Sequence, residues 1–368
     1  MGNRIDLTGI PVVDAHCHLF APEPREMDFS KVLSLSLQDM PLDQTAEVLS
    51  YKRWLRYLKD FTGAEKDLLN SPQVIEAAGF TGDYRGYVEH LFKDACLDRL
   101  IVDLGYVPTK IDVKKFESFL PIKLHYIYRI ETFLDPVWAN RPDFDKMESE
   151  FIETLATELK KENVIGVKSI IGYRTGLEIK FVEREEAKQS YQKGDEKVFR
   201  DYFFRIAADL IRGAGKVFQV HTGFGESNLE IEKNNPVLMK DFIERYQEPA
   251  DLQIHLVHGG YPYAFQAGYL AGVFPNVWVD ISVISPWLVF HARDAVTAIM
   301  EMAPLNKIMH GSDGFVVPEL GWYGAKVSKD VLGDILESLV EQRIISIREA
   351  EKIALNILCD NAKRLYKL

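Results

Sequence analysis

The chain is 368 residues long, 47% hydrophobic and 27% charged, with a net charge of -11: ordinary globular composition, long enough to bury a large core. It has no basic surplus to neutralise phosphates, which argues against nucleic acid or anionic membrane as partners and for a small-molecule substrate. Cys17, Cys96 and Cys359 form no CxxC pair or disulfide framework, and neither a signal-peptide core nor an apolar run of about 18 residues occurs, so a cytoplasmic protein is expected.

Residues 11–20, PVVDAHCHLF, read as a short buried strand. In a strand, residues i and i+2 share a face, so His16 and His18 converge while Cys17 points away. Residues 24–95 follow, too long for a simple connection, and contain several helical patterns. In VLSYKRWLRYLKDF the residues Leu49, Trp54, Leu55 and Leu58 fall near one face. This insert is expected to cap the site, with that face packed on its own helices or on a second subunit in a homodimer.

Further β-rich runs occupy 98–106, 123–132, 164–174, 216–225, 252–260, 277–283 and 307–314, most of them separated by helical patterns such as DKMESEFIETLATELKKE. Eight strands with intervening helices predict an α/β fold, a (β/α)8 TIM barrel over 1–368 with a helical insertion after the first strand. The charged segment 178–201 is expected to be helical and solvated, and like the insert it leaves the C-terminal rim of the barrel, where substrate loops reside.

Strand ends also carry His221 in VHTGFG, His258 in VHGGYP and Asp313 in HGSDG. In a barrel these ends surround one pocket, and imidazoles with a carboxylate are the ligand set for Zn²⁺ or a similar divalent ion. Strand parity sets His255 opposite His258 and His310 opposite Asp313, so His255 reads as structural and His310 as outward-facing or orienting a neighbour. His90, His125 and His291 have no strand-end context.

In this order the HxH pair, the two histidines and the aspartate resemble the amidohydrolase superfamily. ILCDNAKRLYKL at 357–368 is similar to the ending of the amidohydrolase 2 family, which includes aminocarboxymuconate semialdehyde decarboxylase. VKSIIGYRTGL at 167–177 and HGSDGFVVPEL resemble the amidohydrolase-like domain of FluG- and nodulin-type proteins. The resemblance implies one metal, usually zinc with Mn²⁺, Fe²⁺ or Ni²⁺ as alternatives, held by His16, His18, His221 and Asp313, with His258 close by. Lys168 matches the position that binuclear relatives use for a carboxylated lysine; a plain amine is preferred here.

A metal lowers the pKa of bound water toward about 7. Asp313 can then act as general base and acid, and His258 can stabilise an oxyanion. Arg174 in GYRTG is the candidate for a substrate carboxylate, or else a rim salt bridge. Lys168, Tyr173 and Glu319 join it as substrate-binding candidates, with Arg129, Glu131, Trp322 and Tyr323 as further rim residues. The expected reaction is hydrolysis of a C–N, amide-type bond in a small carboxylated substrate. Non-oxidative decarboxylation on the same scaffold is the alternative, and a non-catalytic sensor is disfavoured because no ligand has been lost.

Overall fold

Eight strands pair in parallel in sequence order: β1 (Val12–Cys17), β2 (Leu97–Asp103), β3 (Lys123–Arg129), β4 (Val164–Ser169), β5 (Val217–His221), β6 (Gln253–Val257), β7 (Val277–Asp280) and β8 (Ile308–Met309). Backbone bonds from Ala15 N to His310 O (3.0 Å), Asp313 N to His16 O (2.9 Å) and His18 N to Gly314 O (2.7 Å) join the last strand region to the first. The expected (β/α)8 barrel is formed. The computed structural model describes residues 5–106, 111–120, 122–248 and 252–368.

Strand parity decides what fills the barrel. Val13, Ala15, Ile101, Ile127, Val217 and Met309 form a core of their own with Cys359, Ala362, Leu365 and Tyr366, so the terminal helix Asn361–Tyr366 packs against the barrel floor. The alternate positions Val12, Leu100, Val102 and Phe218 join the outer core beneath the helices. Every strand is shorter than its run in the sequence, and two of them show why. β3 stops at Arg129 because Ile130 opens the helix Glu131–Asn140. β8 spans only Ile308–Met309, and the chain beyond it meets β1 through single backbone bonds.

The insert forms five helices, the longest being Leu49–Thr62 and Tyr84–Ala95, the latter capped by the Asp83 side chain on Gly86 N. The buried face of Leu49–Thr62 is Ser50, Tyr51, Trp54 and Leu58; Leu49 is 55% exposed, against the sequence expectation. Residues 50, 51, 54 and 58 follow the i, i+4 row more strictly than a set starting at 49. Trp54 stacks between Phe29 and Tyr323, with ring centroids 4.6 and 5.4 Å away, so the insert packs on the last barrel helix, Pro318–Glu341. The charged segment holds the helix Arg184–Lys193 and the start of Glu196–Ala214, and it also buries Ala187, Tyr191 and Phe199. Among the described residues no helix is long and apolar enough to cross a membrane.

Candidate functional site

The carboxyl ends of the strands open into a cavity of about 450 Å³. His18, Lys168, His221, His258 and Asp313 line its floor, and Arg129, Tyr173 and Arg174 line its side. His16 lies fully buried below them. The insert supplies another wall through Met27, Lys31, Val32 and residues 34–37. That wall is tied to the β5 side by Ser227 N donating to Leu35 O (2.9 Å) and Leu37 N donating to Ser227 Oγ (3.2 Å).

Two of these side chains reach the cavity by a route that strand periodicity does not describe. His258 and Asp313 have left-handed backbones, with φ of 74° and 54°. Val283 (62°) and Val316 (64°), which also line the cavity, have positive φ as well. Such values are uncommon for non-glycine residues, and rarer for β-branched ones, so four of them around one cavity mark strain held at a functional surface. For this reason His255 and His258 do not face opposite sides, contrary to what strand parity predicts. His255 also points into the barrel, with Nδ1 2.7 Å from the Tyr366 hydroxyl and Nε2 3.0 Å from Asp280 Oδ2, because His258 lies beyond the strand and its backbone turns it back inward. His310 faces the outer helix, 2.9 Å from Ser328 Oγ. The Cys17 thiol lies against Ile101 O.

At the centre, Asp313 Oδ1 is 3.3 Å from His16 Nε2 and 3.2 Å from His18 Nε2. His16, His258 and Asp313 bring one ligand atom each within 4.8 Å of one another, and so do His16, His18 and Asp103. His221 stands outside both groups, with its ring centroid 4.6 Å from that of His258. Its Nε2 is buried and has no hydrogen-bond partner among the described residues, nor has His16 Nδ1. His18 Nδ1 lies 3.2 Å from the Asp103 carbonyl and its Nε2 3.2 Å from Asp313 Oδ1.

Electrostatics set the same atoms up as ligands. Burial, with Lys168 nearby, lowers the His16 pKa to about 4. Burial likewise drives His221 and His258 well below the ordinary histidine value. Burial alone would raise Asp313, but the imidazoles of His258, His16 and His18 outweigh it and hold the carboxyl well below its usual range. Neutral imidazoles beside an ionised carboxylate, with a buried nitrogen left unpaired, are what a divalent cation requires, so the residues fit the metal that the sequence resemblance implies.

Beneath this set lies a second charge cluster that the sequence reading missed in part. Asp103, the last residue of β2, accepts from Arg129 Nε (3.0 Å) and Nη2 and lies 3.6 Å from Lys168 Nζ. Arg129 and Lys168 hold Asp103 ionised despite its burial. Lys168 Nζ also meets His16 Nε2 at 2.7 Å, and burial lowers its pKa. Asp103 obeys the same strand-end rule that picked out the histidines, which is the signal that would have found it. Glu226 and Phe315, from loops, and Trp287, the last residue of the short helix Ile284–Trp287, also line the cavity, and no periodicity marks them.

The proposed substrate residues divide. Lys168 and Tyr173 line the cavity, and Tyr173 bonds Glu226. Arg174 lines it too, but its fork is occupied: Nε meets Asp135 Oδ1 at 3.2 Å and Nη2 meets Oδ2 at 2.7 Å. Glu319 lies outside the lining, fully buried and accepting from the Tyr87 hydroxyl at 2.9 Å. Trp322 and Tyr323 are buried under the insert. Glu131 is buried beside β4, accepting from Ser169 Oγ.

Comparison with known proteins agrees with this geometry. Residues 129–368 match the family model described as Amidohydrolase. Protein fluG of Emericella nidulans is 25% identical over 97% of the chain, and the chain spans about half of that relative's length, 46%. A protein from Lactobacillus casei ATCC 334, provisionally assigned as a metal-dependent hydrolase, superposes with a TM-score of 0.87 at 26% identity, covering 98% of this chain and 96% of that one. The uronate isomerase of Thermotoga maritima shares the fold, with a TM-score of 0.70 at 13% identity over 98% and 95% of the two chains.

Proposed function

Because the chain belongs to the amidohydrolase family, whose model matches residues 129–368, we propose that it is a metal-dependent hydrolase cleaving a C–N, amide-type bond in a small carboxylated substrate. The observation that carries this reading is the meeting of His16, His258 and Asp313 within 4.8 Å at and just beneath the floor of a cavity lined also by His18, His221 and Arg129. The likeness of the whole chain to the Lactobacillus casei protein supports hydrolysis.

His16, His18, His221 and Asp313 would hold one divalent cation, zinc in our reading, with His258 alongside. When bound, such an ion polarises a carbonyl and lowers the pKa of water toward about 7. Asp313, held ionised by the surrounding imidazoles, accepts a proton at its carboxylate and returns it to the departing nitrogen, general base and then general acid. Arg129 offers Nη1, which has no protein acceptor among the described residues while Nε and Nη2 are held by Asp103, to a substrate carboxylate. Lys168, pinned between His16 and Asp103, adds positive charge at the same end. The insert forms one wall of the cavity above them.

Decarboxylation would use the same residues and differ only in the bond broken. The two are separated by incubating the zinc-reconstituted protein with a panel of small N-acyl and side-chain amides of amino acids and with aromatic and unsaturated carboxylic acids, following amine release and CO₂ release in parallel. Amine release that chelation abolishes and zinc restores supports the hydrolase. CO₂ release without amine release would replace it with the lyase.

A further inference from the structure

Asp280 and Ser282 serve no role in the reaction as described, yet both are fully buried at the end of β7 and directed at His258. Asp280 Oδ1 receives three donors: His258 N at 2.8 Å, Ser282 N at 3.0 Å and Ser282 Oγ at 2.6 Å. Its other oxygen lies 3.0 Å from His255 Nε2. The opposite nitrogen of His255 meets the Tyr366 hydroxyl at 2.7 Å, and that hydroxyl accepts from Gln219 Nε2 at 2.7 Å. Tyr366 belongs to the terminal NAKRLY segment, which the reaction otherwise leaves unused.

Donor and acceptor counting permits one proton arrangement here. Two backbone N–H groups can only donate, so Asp280 Oδ1 is an acceptor, and the Ser282 hydroxyl proton, 2.6 Å away, points at it. The Ser282 oxygen is left with lone pairs only. His258 Nδ1, 2.9 Å from that oxygen, must then carry the proton, and Nε2 is bare. We propose that Ser282, anchored by Asp280, is a positioning residue that locks His258 in the Nδ1–H tautomer and presents the Nε2 lone pair to the cavity. His258 is thereby an acceptor of a proton or a cation at Nε2. This replaces the role of oxyanion donor expected from sequence, which would need a proton on Nε2. The left-handed backbone of His258 is held in the same arrangement, since His258 N is one of the three donors on Asp280. The chain Tyr366–His255–Asp280–Ser282 thus ties the C-terminal segment to the site histidine.

The inference rests on the functional reading only in that His258 belongs to the site, and its test needs no turnover. Long-range ¹H–¹⁵N spectra of metal-free protein labelled at histidine distinguish the two neutral tautomers by their nitrogen shifts, and His258 is assigned by the signals lost in His258→Gln. The wild-type ring should show Nδ1 protonated, the form that a free histidine side chain disfavours. In Ser282→Ala, where Asp280 keeps its two backbone donors, Nε2–H should become the major form. A wild-type His258 protonated at Nε2 overturns the proposal whether or not the variant folds. An Nδ1–H tautomer that persists unchanged in folded Ser282→Ala also overturns it. Loss of hydrolase activity on every amide tested would leave these readouts intact, so the two failures are told apart.

Discussion

Arg174 and Asp135 form a two-pronged pair, Nε to Oδ1 at 3.2 Å and Nη2 to Oδ2 at 2.7 Å, on the rim of the cavity. Arg200 Nη1 reaches the same carboxylate at 2.7 Å, so Asp135 is fixed from two sides and Arg174 with it. A substrate carboxylate would have to displace a partner already in place. Arg129 is differently placed, with one guanidinium edge on Asp103 and Nη1 without a protein acceptor among the described residues. Arg129→Met should therefore raise KM for a carboxylated substrate by roughly 10- to 100-fold, the range of a charged hydrogen bond worth about 1.5–3 kcal/mol. Arg174→Met should change KM less than about 3-fold. Steady-state kinetics of the two variants side by side decide between them, and the reverse order of KM effects would return the substrate carboxylate to Arg174.

Asp313→Asn tests the proton-transfer assignment. The amide is nearly isosteric and keeps one oxygen toward His16 and His18, but it has no basic lone pair at neutral pH. Turnover should fall on the order of 10²- to 10⁴-fold, the usual contribution of a general base, while metal content by elemental analysis stays near one ion per chain. Turnover within a few-fold of wild type would remove Asp313 from the proton path. Two metals per chain, with added mass on Lys168, would show the carboxylated, binuclear form instead.

Glu319 gives a pH dependence with a defined sign. Burial raises its pKa from 4.5 to about 7, so between those values the folded state holds a proton that the unfolded chain has released. Stability from this group is complete below about pH 4.5 and is lost as pH rises through about 7. Glu319→Gln, which keeps an acceptor for the Tyr87 hydroxyl, should remove that loss. The difference in melting temperature between Glu319→Gln and wild type should grow in favour of the variant from pH 5 to pH 8. A difference that is flat across this range would show that Glu319 titrates as an ordinary carboxylate.

The residues behind these predictions were unequally legible in the sequence. His16, His18 and His221 follow from strand alternation and strand ends, because a period of two converts directly into a direction in space. Arg174's partner does not. Asp135 sits in a helix that contains Pro136 and opens straight from β3, outside any strand run or motif that would mark it. The face shared by His255 and His258 was misassigned because the left-handed turn at His258 is a backbone property with no periodic signature. Ser282 lies just past β7 and could be recognised as functional only once its distance to His258 was known.

The insert 24–95, expected from sequence to cap the site, is also built into the packing of the barrel. Trp54, fully buried, stacks on Tyr323, and Arg53 donates to the Tyr323 hydroxyl and to Ser285 O, both at 2.6 Å. Trp322 is covered in part by Phe61, 5.2 Å between ring centroids. Removing residues 24–95 would strip the aromatic face of the helix Pro318–Glu341, the helix that follows Asp313 by a few residues, and leave a large apolar patch in water. The deletion protein should therefore aggregate. A point change isolates the contribution: Trp54→Ala should cost about 3–5 kcal/mol, the range for losing a buried aromatic ring, and lower the melting temperature by several degrees. Trp287→Phe probes the wall without the core, since Trp287 lines the cavity and its Nε1 donates to Leu33 O at 3.0 Å. That variant should melt close to wild type, losing about 1 kcal/mol for one hydrogen bond, yet turn over substrate with a several-fold lower kcat/KM because the wall is less firmly held. Unchanged kcat/KM in Trp287→Phe would mean that the insert stabilises the barrel without shaping the site.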